Sequence, residues 1–339
     1  HLYGPLLRAV IASASNDHRL GANEAPPAIL SVYLGDQLEK VFTDIKEGNI
    51  TQTIVGGEMD LGLSQILNFE RDPGDRNRTS PFAFTGNRFE FRAVGSSQSV
   101  SGPLVAMNTM LADSLDWISD KLEPALEAHG NQAEAVVAVL KELMTEHGNV
   151  VFGGDGYSAD WHEKAVTERG LKNIPTTADA LPALREESVV KLFERTGVLS
   201  PVELESRFEV YAEQYVLSIE VEAKLVIDIA KTSIYPAALD YLSTLTSTGA
   251  GLAAMGVELE NSTAKAVADN ANAMMKSVES LSSALAKHDF GSTEEHMQFC
   301  ANDIRPLMDE VRSYADALEA DVADELWPLP KYQEMLFIK

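Results

Sequence analysis

Between Arg88 and Arg92 charged and aromatic residues alternate one for one, Arg-Phe-Glu-Phe-Arg. Period two is the signature of a strand with one wet and one buried face. It puts Arg88, Glu90 and Arg92 in a row at intervals of roughly 6.5 to 7 Å and predicts that Phe89 and Phe91 point into a core. Thr85-Gly86-Asn87 before it reads as a turn, and Ser64 to Phe69 is a second candidate strand after the Gly-punctuated stretch Thr51 to Leu63. Elsewhere the apolar positions recur at helical spacing. Leu2 to Ala14 reads as the end of a buried helix. Ile29 to Lys46 carries Ile29, Val32, Tyr33, Leu38, Val41, Phe42 and Ile45 behind Pro26-Pro27 and predicts a helix ended by Gly48. Ser99 to Ala128 predicts a long helix opening near Pro103. Asn131 to His147 predicts another, with Val136, Val137, Val139, Leu140 and Leu143 on its core side.

From Ser200 the texture changes to long helices. Ser200-Pro201-Val202-Glu203 is a capping box with proline at the first helical position. The run it opens extends to about Ser233 and is kinked or ended by Pro236. Asn261 to Lys287 is a second helix. A third opens at Ser292 with Glu295 three residues later, is disturbed at Pro306, and continues toward Asp321. These segments read as an antiparallel helical packing unit with acidic faces turned to water. The tail Leu326-Trp327-Pro328-Leu329-Pro330, with Tyr332 and Phe337 beyond it, is apolar enough to be expected on a surface or a neighbouring subunit.

The 339 residues suffice for one large domain or two. A formal charge of −25 argues against binding nucleic acid through its phosphates. No stretch approaches the ~20 apolar residues that span a bilayer, so no membrane partner is expected. The first residue is His, with no charged segment leading into an apolar one, so neither a signal peptide nor a natural start is read there and the chain is expected to be part of a longer one. A lone cysteine, Cys300, excludes an internal disulfide and a multi-thiolate zinc site and fits a cytoplasmic setting; its helical context predicts core packing.

The candidate chemistry sits in two places. Ser15 to Pro27 is too polar and too rich in Gly, Asn and Pro for helix or strand, and it joins two apolar elements, the position from which a rigid frame can aim a loop. Arg19 there offers a fork for a carboxylate or phosphate and Glu24 a proton acceptor; a helix-capping loop is the plainer reading. In the alternating strand, Glu90 between two guanidiniums is held ionised. That suits a hard-cation ligand, with the arginines holding anionic groups of a substrate and Arg78 folding back toward the same face. An ordinary solvated strand face with cross-strand ion pairs is the alternative. Phe152-Gly153-Gly154-Asp155-Gly156-Tyr157-Ser158 lacks the Lys-Ser/Thr ending of a phosphate loop and reads as a turn with Ser158 capping the next helix. His162-Glu163 lacks the second histidine of a zinc-protease helix.

Three motifs in order, Asn16-Asp17-His18-Arg19-Leu20-Gly21-Ala22-Asn23-Glu24-Ala25-Pro26-Pro27, Asn77-Arg78-Thr79-Ser80-Pro81 and Arg88-Phe89-Glu90-Phe91-Arg92, closely resemble the second half of the catalytic domain of glutamine synthetase. The wording NRTSPFAFTGN and the helical C-terminus ending in LWPLPKY resemble the type III, long-chain class. The resemblance implies an α+β fold: the closing part of a catalytic domain with an antiparallel sheet and helices over residues 1–128, then a mostly helical extension over 129–339. It implies a glutamate–ammonia ligase that uses ATP as co-substrate and Mg²⁺ or Mn²⁺, forms glutamine through γ-glutamyl phosphate, and assembles as a homo-oligomeric ring. Arg19 would hold the α-carboxylate of glutamate and Glu24 would lie on a flap that helps take a proton from ammonium. Arg78 would face the transferred phosphate, Arg88 the nucleotide, Glu90 a divalent metal, and Arg92 the substrate or phosphate. Two departures stand out. Pro81-Phe82-Ala83-Phe84 occupies the place where many shorter relatives have a further arginine, and the family's other metal ligands and its β-grasp domain precede the equivalent of His1. A partial active site is therefore expected. A non-catalytic helical assembly module, or a ligase joining another amine to glutamate, are the competing readings.

Overall fold

The computed structural model describes residues 1–20, 25, 27–49, 58–59, 69–70, 80–93, 95 and 98–336, with the side chains of 58–59, 69–70 and 333 left aside. Its contacts divide the chain into two compact units, His1–Tyr211 and Ala212–Lys339.

The first unit opens with helix α1, Gly4–Val10, which buries Leu6, Arg8 and Ala9, and the single turn α2, Ala14–Asp17. Strand β1, Val32–Tyr33, precedes helix α3, Asp36–Glu47. The predicted helix over 29–46 therefore forms only in its second half. Gly35, at φ 79°, breaks the run ahead of Asp36, and the β-branched Val32 with Tyr33 pairs in parallel with Phe82 and Ala83. Gly48 closes α3 in the left-handed conformation, as its spacing predicts. Strand β2, Glu58–Met59, pairs antiparallel with β3, Phe69–Glu70; of the candidate strand 64–70 only this end lies within the described residues. Strands β4, Phe82–Phe84, and β5, Phe89–Phe91, pair antiparallel, completing a sheet of order β1-β4-β5. That sheet is mixed. The expectation of an antiparallel sheet holds for β4–β5 and fails at β1, because β1 is joined to β4 through a crossover rather than a hairpin.

Helices α4, Ser101–His129, and α5, Gln132–His147, follow, the second capped by Asn131. On α5 the buried positions are Ala135, Val139 and Met144, whereas Val136 and Val137 face outward, one residue round the helix from the expected core side. Ser158 caps α6, Ala159–Thr167, accepting the Trp161 N–H at 3.2 Å, as the glycine-rich turn predicts. Phe152 stacks on Trp161 with 3.5 Å between ring centres, over a core of Ile29, Ala165 and Leu171. Helices α7, Thr177–Ala180, and α8, Glu187–Arg195, lead to α9, Pro201–Ile229, which runs from the first unit into the second. The capping box is formed in full: Glu203 Oε2 accepts the Ser200 N–H at 2.8 Å and the Ser200 hydroxyl accepts the Glu203 N–H at 3.3 Å.

The second unit is helical: α10, Tyr235–Ala254; α11, Ser262–Leu285; α12, Thr293–Phe299; α13, Arg305–Asp321; and α14, Tyr332–Leu336. Neither Pro236 nor Pro306 ends its helix. Each follows a single π turn, Ala230–Ile234 and Cys300–Ile304, whose wider backbone spacing absorbs the ring and the missing N–H. Ser292 caps α12 at 3.1 Å while Glu295 accepts the Gly291 N–H at 2.8 Å. Helices α11 and α13 pack along their length over Met274, Val278, Leu281, Val311 and Leu318. Cys300 belongs to this core, and burial, followed by the nearby Glu220, pushes its thiol up to about 12. Trp327 is buried and Tyr332 exposed, so the apolar tail is seated at its first half only; Phe337 lies outside the described residues. Among the described residues no helix is long and apolar enough to cross a membrane.

Candidate functional site

On β5 the alternation resolves as two faces. Glu90 takes both arginines: Arg88 donates from Nε at 3.1 Å and Nη2 at 2.9 Å to Oε1, and Arg92 donates from Nε and Nη2, each at 3.3 Å, to Oε2. The fork from Arg88, and after it that from Arg92, holds the Glu90 carboxyl below the usual glutamate range. Arg88 is largely exposed, Glu90 a third exposed and Arg92 mostly covered, so the row grades from solvent inward. Ala83, paired opposite Glu90, is fully buried and leaves room for the charged side chains above it.

Phe89 and Phe91 belong to the other face, in ring contact with Phe82 and Phe84 across the hairpin at 5.2 to 6.1 Å. The expectation that they point into a core is corrected here. They line a cavity of about 740 Å³, and Phe89 is 48% exposed. A strand of three residues brings too few neighbours to close over its own aromatic side.

The polar loop is held at its root by contacts that span most of the unit. Asp17 is buried; its Oδ1 accepts the Thr177 N–H at 2.7 Å, lies 2.6 Å from the Thr177 hydroxyl and sits 3.9 Å from the Arg8 guanidinium. Arg8 donates from Nε to the Ile174 carbonyl at 2.8 Å and from Nη2 to that of Pro175 at 3.3 Å. Burial lowers the Arg8 pKa to about 10 despite Asp17 and Asp179. Further along, the Tyr157 hydroxyl donates to the Ala25 carbonyl at 2.6 Å. Arg19 emerges exposed from the turn after α2, its N–H bonded to Asn16 O at 3.0 Å. Glu24 and Arg78 lie outside the described residues. Reading by residue type missed Arg8, Asp17, Thr177 and Tyr157. The available signal was an arginine inside the apolar run Leu6-Leu7-Arg8-Ala9-Val10, a cation that folding has to partner.

For a divalent metal the fit is incomplete. Glu90 offers hard oxygens, but both already accept guanidinium hydrogens, and among the described residues no three His, Cys, Asp or Glu side chains gather to hold an ion.

A family model described as "Glutamine synthetase C-terminal domain" matches residues 135–252. A "Type-3 glutamine synthetase" of Dictyostelium discoideum is 39% identical over 348 aligned residues that cover 100% of this chain and 47% of the relative. A "Glutamine synthetase" of Bacteroides fragilis (strain YCH46) is 35% identical over 100% of this chain and 48% of its own length. One of Butyrivibrio fibrisolvens is 33% identical over 99% and 48%. The chain thus spans about half the length of the curated relatives it matches. Every region of the chain is aligned in these matches, the sheet and loop as well as the helices, so it is similar along its whole length to about half of a type III glutamine synthetase.

Proposed function

We propose that this chain carries part of the active site of an ATP-dependent glutamate–ammonia ligase, which forms glutamine through γ-glutamyl phosphate. The carrying observation is the Arg88–Glu90–Arg92 row, one ionised carboxylate between two guanidinium forks on one face of a strand. Transfer of a phosphoryl group from ATP to a carboxylate asks the protein for position and positive charge more than for covalent chemistry. Arg88, the most exposed member, faces the nucleotide. Arg92 binds the substrate or the transferred phosphate. Arg19, on its anchored turn, takes the α-carboxylate of glutamate. Glu24 accepts a proton from ammonium and Arg78 meets the phosphate. Glu90 would be one ligand of a Mg²⁺ or Mn²⁺ ion, which would supply positive charge beside the ATP phosphates. A homo-oligomeric ring in the cytoplasm and a boundary near residue 129 between catalytic and helical parts belong to the same reading, with which the buried free Cys300 is compatible.

The test is Glu90→Ala and Glu90→Gln in the complete enzyme that carries this chain, assayed for glutamine formation against metal concentration. The expected result is a loss of turnover of at least about 100-fold with a raised metal requirement for both variants. Unchanged rate and metal dependence in either variant would reduce Glu90 to an ion-pair partner. Residues 1–339 alone are expected to form no glutamine, since the described residues hold one candidate metal ligand and not a set.

A further inference from the structure

The polar stretch from Ser15 to Pro27 is met on both sides by one later segment of the same unit, residues 149–177. On the near side the Thr177 N–H donates to Asp17 Oδ1 at 2.7 Å, the Thr177 hydroxyl lies 2.8 Å from Ser13 O, and Arg8 holds the Ile174 and Pro175 carbonyls. On the far side the chain is gripped three more times. The Tyr157 hydroxyl donates to Ala25 O at 2.6 Å, Ile29 bridges to Asn173, and the Phe152 N–H donates to Val32 O at 3.0 Å. Ala25 and Ile29 are fully buried.

The gripping segment is itself held in place by contacts that its sequence supplies. Phe152 lies flat on Trp161, and a Cβ at Gly154 would stand 2.7 Å from that phenyl ring, so the turn takes glycine there. Arg169 ties the start of the segment to the residues after α6. It donates from Nη1 to Val151 O at 2.5 Å, with its guanidinium 5.2 Å from the Trp161 ring centre. The turn that carries Tyr157 is fixed from both sides: Asp155 Oδ1 accepts the Tyr157 N–H at 2.9 Å, and the His162 ring nitrogen meets Gly156 O at 3.2 Å. A phenol held this way loses little further freedom in bonding a carbonyl 132 residues earlier. Residues 149–177 belong to the part read as a helical extension, which thereby reaches back to the stretch that carries Arg19 and Glu24.

We propose, on the basis of the ligase function above, that Tyr157 is a positioning residue for the use of ammonium: its hydroxyl holds the carbonyl of the residue that follows Glu24 and so sets where the Glu24 carboxylate stands. Ammonium must give up a proton before its nitrogen can bond to the γ-carbonyl carbon of γ-glutamyl phosphate and displace phosphate, which leaves with the electrons of the broken C–O bond. That proton goes to Glu24. A base displaced from its working position takes a proton less well, so an anchor lost one residue away is felt as lost rate.

The test is Tyr157→Phe in the complete enzyme that carries this chain, a change that deletes one oxygen and keeps the ring. Rates are compared for ammonium and for hydroxylamine, which is already unprotonated at neutral pH and attacks γ-glutamyl phosphate without a base. kcat/KM should fall about tenfold for ammonium, the equivalent of roughly one hydrogen bond, and less than about twofold for hydroxylamine. An equal fall for both would make Tyr157 a general structural support and would overturn the proposal, as would no fall for either. Glu24→Gln in the same assay separates the two roles. If it leaves the ratio of the two rates unchanged, the role of Glu24 fails and Tyr157 has nothing to position. If it shifts the ratio and Tyr157→Phe does not, the ligase reading stands and the positioning role alone falls. A second arm needs no activity. Trypsin cleavage after Arg19 should quicken at least about fivefold in Tyr157→Phe, because cutting requires the chain to part from its anchors. Unchanged cleavage would overturn the proposal whatever the rates.

Discussion

Residues 212–339 and the sheet of residues 1–211 are made from the same kinds of side chain, and they solve burial differently. Along α11 and α13 each helix turns one apolar stripe to the other, and Met274, Leu281 and Leu318 disappear from solvent entirely. At β4 and β5, Phe82, Phe89 and Phe91 face a cavity, and one of them is half exposed. A helix satisfies its own backbone and needs one partner for one stripe, whereas a short edge strand needs cover for a face and a partner for an edge. The region that closes on itself holds buried thiol and methionine. The region that does not holds the guanidinium–carboxylate row. The guanidinium–carboxylate row thus stands in the region whose apolar face is left open, and the closed bundle holds none like it among the described residues.

The sharpest way to break that contrast is truncation of one residue on each side. Leu281→Ala should destabilise the helical unit by about 2 to 5 kcal/mol, because the methylenes are lost from a fully packed site. Phe89→Ala should cost less than about 1 kcal/mol, since much of that ring is already in water. Urea unfolding followed by circular dichroism measures both; equal costs would mean that the aromatic face is as well packed as the bundle. Next in size is the loop anchor. Asp17→Ala should cost about 1 to 3 kcal/mol by stranding the Thr177 N–H beside the buried Arg8, whereas Thr177→Ser, which keeps the N–H and a hydroxyl, should cost much less. Smaller again are the caps. Ser200→Ala and Ser292→Ala should each cost about 1 kcal/mol, with glycine at either position costing only a few tenths.

What could be read beforehand was what is local. Ser158, Ser200 and Ser292 were legible as caps because a cap depends on three or four consecutive residues, and the two faces of Arg88 to Arg92 were legible because alternation is decided within one strand. The stretch from Ile29 to Tyr33 was not. Its apolar spacing suits a helix, and its assignment to β1 is decided by Phe82 and Ala83, fifty residues on. Asp17 and Thr177 are 160 residues apart, and nothing in either neighbourhood names the other. Pro236 reads as a kink or an end and Pro306 as a disturbance, and the chain accommodates each with one π turn, on which Ile234 and Ile304 are buried. At the site, Arg88, Glu90 and Arg92 come together as their spacing predicts and Arg19 is exposed on its turn, while Glu24 and Arg78 fall outside the described residues.

The smallest effect belongs to Glu90 and separates its ion pairs from its surroundings. Its carboxyl is held below the usual glutamate range, first by the hydrogen bonds from Arg88 and then by those from Arg92. For an acid whose folded pKa is depressed, the ionised form is favoured by folding. Its contribution is therefore complete above the ordinary glutamate pKa of the unfolded chain and is lost as pH falls through the lower folded value. The unfolding midpoints of the wild type and Glu90→Gln should accordingly differ by a constant amount from neutral pH down to the ordinary carboxyl range, then converge below it. The difference should be small, because the group is partly in water and salt screens it. Arg88→Ala should move the Glu90 titration midpoint, followed by carboxyl carbon resonances, upward toward the ordinary value, since the largest share of the depression comes from that fork. Arg92→Ala should move it upward by less. A Glu90 midpoint unmoved by either change would show that the carboxylate is held by groups other than the two arginines, and the row would then be a coincidence of strand spacing rather than a prepared anionic and cationic site.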